Sequence, residues 1–360
     1  MNDFAELRAV LLAHARRYPQ MQPQDAVKLL YQNEFGGGHL IADPQESLRR
    51  LEGECAGLVR NAGLPLFEDI GGGLVRVNLA ARDEQSYPLE RLNRDFVRSA
   101  ALHRGEKARF LEKLALLRAF ASEGAFGFTA TDLESYLTPY IADGCPMVSH
   151  TETYRAAYAP AYRVILKSTS LPALLMEIRA LAEAKERVLV AIDGRCASGK
   201  STLTARLARE NGWSLFHMDD YFLRPEQRTP DRYAAPGENV DHERFYEEVM
   251  RPLHAGAKEI VYRPFDCARM AVGEAVTLRP QRVALIEGSY SCHPSLWDMY
   301  DLRVFLTVDP ELQLARIKAR NGEAGLKAFR ERWIPLEEKY FAAYDVERRC
   351  DYALDGGELR

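Results

Sequence analysis

Apolar residues recur at helical spacing through much of the first half of the chain, predicting helices from Phe4 to Arg17, Pro23 to Asn33, Pro44 to Cys55 and Lys107 to Ala121. Asp43 stands where it would cap the third of these. One short stretch breaks the rhythm: Gly71-Gly72-Gly73 leads into Leu74–Leu79, which alternates in the manner of a half-buried strand. Beyond Ile165 the pattern changes. A polar stretch with a proline, Lys167–Pro172, precedes a helix over 173–185. Strands at 188–192, 213–218, 282–286 and 302–308 then alternate with helices. Such alternation predicts a parallel sheet with right-handed crossovers and helices on both faces. The boundary is expected in the polar stretch, giving a mainly α-helical N-terminal domain (1–165) and an α/β domain (166–360).

At 360 residues, 47% hydrophobic and 28% charged, the chain is long enough for two ordinary domains with separate cores. A net charge of −4 argues against a surface that coats nucleic acid. Six cysteines lie scattered with no C-x-x-C pair, so neither a disulfide framework nor a structural zinc is expected. The N-terminus is charged where a signal peptide needs an apolar core, and no window has the length of a membrane span. A cytoplasmic protein with no nucleic-acid or membrane partner is therefore expected. Homo-oligomerisation stays open.

The second half carries the chemistry. The apolar run Val188–Ile192 feeds directly into Gly194-Arg-Cys-Ala-Ser-Gly-Lys-Ser201, the pattern G-x-x-x-x-G-K-S. Gly194 and Gly199 let the backbone turn its N–H groups inward, where a side chain would block a phosphate. The cradle expected for ATP runs through Gly194, Ala197, Ser198, Gly199, Lys200, Ser201 and Thr202. Lys200 supplies charge to the β and γ phosphates, Ser201 offers a hydroxyl to Mg²⁺, and a helix from Ser201 to about Glu210 points its positive end at the anion. This places the α/β domain among the phosphate-loop NTPases with a doubly wound parallel sheet. Two acidic sites follow strands further on. Asp219-Asp220 comes after the strand ending at Met218, and Glu287 after the strand ending at Ile286, both at carboxyl ends where ligands of such sheets bind. Asp309-Pro310-Glu311 opens a helix to about Arg320.

Ile192–Thr202, Met218–Pro225 (Met-Asp-Asp-Tyr-Phe-Leu-Arg-Pro), Asn239-Val-Asp-His242, Leu285-Ile-Glu-Gly-Ser-Tyr290 and Asp301–Val308 together resemble the uridine kinase and phosphoribulokinase family, over residues 187–355 only. The resemblance implies that Asp219 is the catalytic base, that Ser201, Asp219 and Glu287 surround Mg²⁺, and that a mobile lid matching Arg316 to Arg332 brings arginines onto the phosphates. Arg316 and Arg320 lie four apart on one helix face, and Arg330 and Arg332 follow a break at Asn321–Gly325. Guanidinium forks suit phosphate oxygens. Asp220, Tyr221, Asp241 and His242 are the expected acceptor-side residues. The stretch matching the family's base-binding segment, Tyr262–Met270, lacks histidine. Arg263, Asp266 and Arg269 there serve a ribose, a sugar phosphate or an acid, or form a surface ion-pair cluster.

In the first half, Asn33–His39 sets three glycines beside Glu34 and His39, a pattern that reads foremost as a helix cap and turn. Ser149-His150-Thr-Glu152 and the run Tyr154, Tyr158, Tyr162 read as a packed helix face. The resemblance assigns this half no activity. The expectation is a kinase that moves the ATP γ-phosphate to a small alcohol, with a nucleoside the leading acceptor. Pantothenate, a sugar or a sugar phosphate are the alternatives within enzymes, and a nucleotide-dependent regulatory protein is the alternative outside them.

Overall fold

A computed structural model describes residues 3–38, 41 and 43–357. Its contacts divide the chain into two units, Met1–Pro172 and Ala173–Arg360.

The first unit contains α1 (Asp3–Arg17), α2 (Pro23–Phe35), α3 (Pro44–Cys55), β1 (Phe67–Gly71), β2 (Leu74–Asn78), α4 (Leu89–Leu102), α5 (Lys107–Ser122), α6 (Ala130–Ala142), α7 (Glu152–Tyr158) and β3 (Tyr162–Leu166). Local chemistry fixes several starts. The Asp43 carboxylate accepts from Glu46 N at 2.8 Å with Pro44 in the first turn of α3, and Thr129 and Asp132 cap α6 reciprocally. Its helices are accompanied by three strands where one was expected. β1, β2 and β3 form an antiparallel sheet. Four of the five β2 residues are buried, because helices cover both of its faces. Leu74 joins Leu11, Leu30, Phe110 and Leu114 on one side; Val75 and Val77 join Leu51, Leu92 and Phe96 on the other. The tyrosine run is split by this arrangement. α7 stops at Tyr158, Ala159 adopts φ 40°, and Tyr162 opens β3 instead of continuing a helix.

The second unit begins in α8 (Leu171–Ala184) and continues β4 (Val188–Gly194), α9 (Lys200–Asn211), β5 (Ser214–His217), α10 (Pro230–Ala234), α11 (His242–Phe245) and α12 (Arg251–His254). Two small antiparallel pairs follow, formed by β6 (Ile260–Tyr262), β7 (Phe265–Asp266), β8 (Ala271–Val272) and β9 (Val276–Leu278). Then come β10 (Val283–Glu287), β11 (Leu302–Thr307), α13 (Pro310–Ala328), α14 (Ile334–Tyr344), α15 (Val346–Arg349) and β12 (Tyr352–Asp355). The sheet is parallel throughout, in the order β12-β11-β4-β10-β5. β4 is its centre and is buried along its whole length, which explains the unbroken apolar run in the sequence. β12 was not anticipated, and α13 runs past Arg320 to Ala328 with a kink at Gly322 (φ 69°). No helix among the described residues is long and apolar enough to cross a membrane.

Candidate active site

The loop between β4 and α9 is shaped by two close approaches. A Cβ on Gly194 (φ 133°) would sit 2.1 Å from Leu306 O on the neighbouring β11, and Gly199 (φ 102°) caps α9 in the left-handed region. Behind the loop, Asp193 is fully buried. Its carboxylate accepts from Gly194 N (2.7 Å), Tyr290 N (3.1 Å), Cys292 N (2.8 Å) and Tyr340 Oη (3.0 Å). These bonds tie the phosphate loop to the turn after β10 and to α14. Burial pushes the Asp193 carboxyl up to about 6, against the pull of those donors and of Lys200.

The sheet brings the expected strand-end acids together. β5 does not neighbour β4; β10 lies between them, pairing Glu287 with Ile192 on one side and His217 on the other. Glu287, the last residue of β10, therefore sits between the phosphate loop and the turn carrying Asp219. Ser201 Oγ is 3.3 Å from Glu287 Oε2, and Glu287 Oε1 contacts His217 Nδ1 at 2.6 Å. That contact raises the His217 pKa.

A cavity of about 490 Å³ opens here, lined among others by Ala197, Gly199, Lys200, Ser201, Thr202, Asp219, Phe222, Asn239, Glu287 and Tyr290. Lys200 is buried, with Nζ donating to Gly194 O (2.7 Å) and Arg195 O (3.0 Å). Asp219 is open to the cavity yet surrounded by protein. Burial raises its pKa; Glu287 and Glu337 add to the shift, while Lys200 and His217 oppose it. Two buried polar atoms here, Ser198 Oγ and Asn239 Oδ1, have no hydrogen-bond partner among the described residues. Oxygen donors from a hydroxyl and carboxylates beside a glycine-shaped anion cradle fit Mg²⁺ with a nucleoside triphosphate.

The arginines divide. Arg316 donates to Ala197 O (3.1 Å), Ser198 O (3.3 Å) and Gly356 O (3.2 Å), bracing the loop from α13. Arg320 lines the cavity with Phe329 and Trp333. Arg330 and Arg332 are exposed and do not line it; Arg332 stacks on Tyr233 and Trp333 instead.

None of the residues expected to hold the acceptor, Asp220, Tyr221, Asp241, His242, Arg263 and Arg269, lines this cavity. Tyr221 is a core residue whose hydroxyl reaches Glu248 at 3.1 Å. Asp241 caps α11 through Arg244 N. His242 stacks on His293 with ring centres 3.9 Å apart and contacts Glu238 at 3.1 Å. Arg263 and Arg269 are exposed on the β6–β8 segment, and the Asp266 carboxylate accepts from the Ala268 and Arg269 amides rather than from a guanidinium. Asp220 is half-buried beside His217 and Arg244.

Sequence reasoning missed Asp193, Glu337 and Gly356. Glu337 accepts from Cys196 N at 3.0 Å and from Ser289 Oγ at 2.6 Å, joining α14 to the loop. A Cβ on Gly356 would lie 1.8 Å from Ser198 O. The Asp193 signal was present, since an acid inside an apolar strand calls for partners; Glu337 gives none in one dimension. In the first unit, Glu34 is a buried ion-pair partner of Lys113 at 2.5 Å and accepts from Glu106 N at 2.7 Å, while Gly36 caps α2. His39 lies outside the described residues.

No protein-family model matches this chain, nor does any curated protein sequence. Among solved structures, the chain is similar to a Bacillus stearothermophilus protein provisionally described as a uridine kinase: TM-score 0.38 and 21% identity over 51% of this chain and 99% of that one. A Silicibacter protein provisionally described as a fructose transport system kinase gives TM-score 0.38 and 23% identity over 49% of this chain and 98% of that one. Shikimate kinase from Bacteroides thetaiotaomicron gives 0.24 and 13% over 48% and 89%.

Proposed function

We propose that the second unit is an ATP-dependent phosphotransferase that moves the γ-phosphate to a hydroxyl of a small molecule. The observation that carries this reading is that one cavity gathers Lys200, Ser201, Glu287 and Asp219. A protein that only binds nucleotide needs the first three; a carboxylate at Asp219 in the same cavity is what an alcohol acceptor requires.

Lys200 leaves its loop carbonyls to meet the β and γ phosphates, and the amides at the start of α9 face the same anion. Ser201, Glu287 and Asp219 would hold Mg²⁺, which when bound neutralises charge on the transferring phosphoryl group. Asp219 orients the acceptor hydroxyl and takes its proton as the new O–P bond forms and the bond to the departing nucleoside diphosphate breaks. Its raised pKa brings it closer to working pH, where a base is most effective. Arg320, with Phe329 and Trp333, covers the phosphate side.

Asn239 Oδ1, buried with no partner among the described residues, offers an acceptor to a second hydroxyl of the substrate. This favours a polyhydroxylated molecule, with a nucleoside first by sequence resemblance and a sugar or pantothenate next. The test is γ-phosphate transfer from Mg·ATP across nucleosides, sugars and pantothenate, comparing wild type with Asp219→Asn. Transfer to one acceptor that depends on Asp219 supports the reading. ATP binding with no transfer to any acceptor overturns it in favour of a nucleotide-dependent regulator.

A further inference from the structure

The first unit contains a cavity of about 690 Å³ within itself, a size suited to a small metabolite. Its lining includes Lys28, Tyr31 and Gln32 of α2, Ser149 and His150 before α7, Arg155 of α7, Phe96 of α4, and Tyr162 and Arg163 of β3. Gly36 and Gly37 form part of its rim.

Behind the wall runs a chain of hydrogen bonds whose polarity can be worked out donor by donor. Arg76 is buried and donates through Nε (3.0 Å) and a terminal nitrogen (2.7 Å) to Gln32 Oε1. With its oxygen so engaged, Gln32 turns its amide Nε2 to the Tyr162 oxygen at 3.3 Å. Tyr162 must then send its own proton elsewhere, and His150 Nε2 lies 2.5 Å away. His150 accepts there and donates from Nδ1 to Asp25 Oδ1 at 2.9 Å. Asp25 is satisfied as a carboxylate by Thr151 N (3.0 Å), Thr151 Oγ1 (2.7 Å) and Gln22 N (3.1 Å). Tyr154 stacks on the imidazole with centres 4.2 Å apart and holds the ring plane. The result is a carboxylate–imidazole–hydroxyl relay ending at a phenol on the cavity wall, with one tautomer enforced. Burial agrees with it: His150 is pushed down to about 4 and stays neutral at pH 7.

The cavity's charge says what fits. Lys28 Nζ donates to Val148 O at 3.0 Å, and among the described residues neither Lys28 nor Arg155 has an ion-pair partner, whereas Arg163 is matched by Glu54 at 2.6 Å. Burial together with the nearby Arg76 and Arg155, against Asp25, pushes the Lys28 ammonium down to about 8. Two unmatched cations facing one cavity are stabilised by an anion. Tyr31 and Phe96 supply flat apolar wall for its body.

We propose that this cavity is a second ligand site, independent of the phosphate loop, for a small organic anion anchored by Lys28 and Arg155 and packed against Tyr31 and Phe96. The experiment is equilibrium dialysis of the full chain with phenyl phosphate and with benzoate, using benzyl alcohol and benzylamine as uncharged and cationic counterparts. The two anions distinguish a phosphate from a carboxylate as the preferred head group. The expected result is binding of at least one anion, tenfold or more tighter than either counterpart, unchanged in Lys200→Ala and weakened at least tenfold in Lys28→Met and in Arg155→Met. Both latter positions are at the cavity edge, and thermal melting checks that each variant folds. Binding of neither anion, equal binding of benzyl alcohol, or anion binding lost in Lys200→Ala but retained in both cavity variants would overturn the proposal.

Discussion

Ser201 Oγ stands 3.3 Å from Glu287 Oε2, joining the first turn of α9 to the end of β10 across the mouth of the phosphate loop. The other carboxylate oxygen is held by His217 Nδ1 at 2.6 Å. An imidazole behind a ligating carboxylate fixes its orientation, and loss of such a partner costs about 10–100-fold in metal affinity or activity. His217→Asn should therefore raise the Mg²⁺ concentration needed for half-maximal transfer by about that factor, with ATP affinity little changed. An unshifted Mg²⁺ titration would show that His217 serves packing alone.

Among the described residues Asp219 has no side-chain hydrogen bond to a cation in the way Glu34 or Asp241 does, yet it lies in the cavity with Lys200. Asp219→Asn keeps shape and removes the proton acceptor. Turnover should fall by about 10²–10⁴-fold, the usual contribution of a general base, with nucleotide binding intact by fluorescence titration. Retained turnover would remove the base assignment.

Gly356 follows β12 and presses against the back of the loop, where a Cβ would lie 1.8 Å from Ser198 O and where Arg316 bonds Gly356 O. Backbone meets backbone, so no side chain can yield. Gly356→Ala should destabilise the second unit by about 3 kcal/mol, the upper part of the ordinary range, and weaken ATP binding in parallel. An alanine variant with unchanged urea midpoint and ATP affinity would show that the strand end can shift.

The legible parts of this site were those written contiguously. Gly194 to Ser201 sit within one turn, and Asp219 and Glu287 each end an apolar strand, so local pattern placed them at carboxyl ends. What pattern could not supply was strand order: β10 between β4 and β5 is a tertiary fact, and it decides that Glu287 rather than Asp219 is beside Ser201. Glu337 and Gly356 come from the far end of the chain and carry no motif. In the first unit the failure was of another kind. Tyr154, Tyr158 and Tyr162 have helical spacing, but Ala159 turns left-handed and passes Tyr162 to a strand, so a pattern that reads as one face is divided between two elements. His150 and Asp25, separated by 125 positions, meet only because the stretch before α7 folds against the first turn of α2.

The first unit should also be sensitive to acid in a defined window. His14 and His150 are both buried and both pushed down to about 4, His14 by burial and the Arg76 charge, His150 by burial against its bond to Asp25. In the unfolded chain each titrates near 6.5. Between those values the unfolded state binds more protons than the folded one, so stability falls as pH falls from about 6.5 towards 4. By pH 5 each histidine accounts for a loss of about 2 kcal/mol relative to pH 7. Asp25 and Glu68, whose pKa values are lowered, add a loss in the same direction at lower pH. Urea unfolding at pH 7 and pH 5 should show the drop, and His14→Gln, which keeps a donor for Asp69 O, should show a smaller one. A pH-independent midpoint, or an equal drop in His14→Gln, would mean that these rings reach water before the unit unfolds.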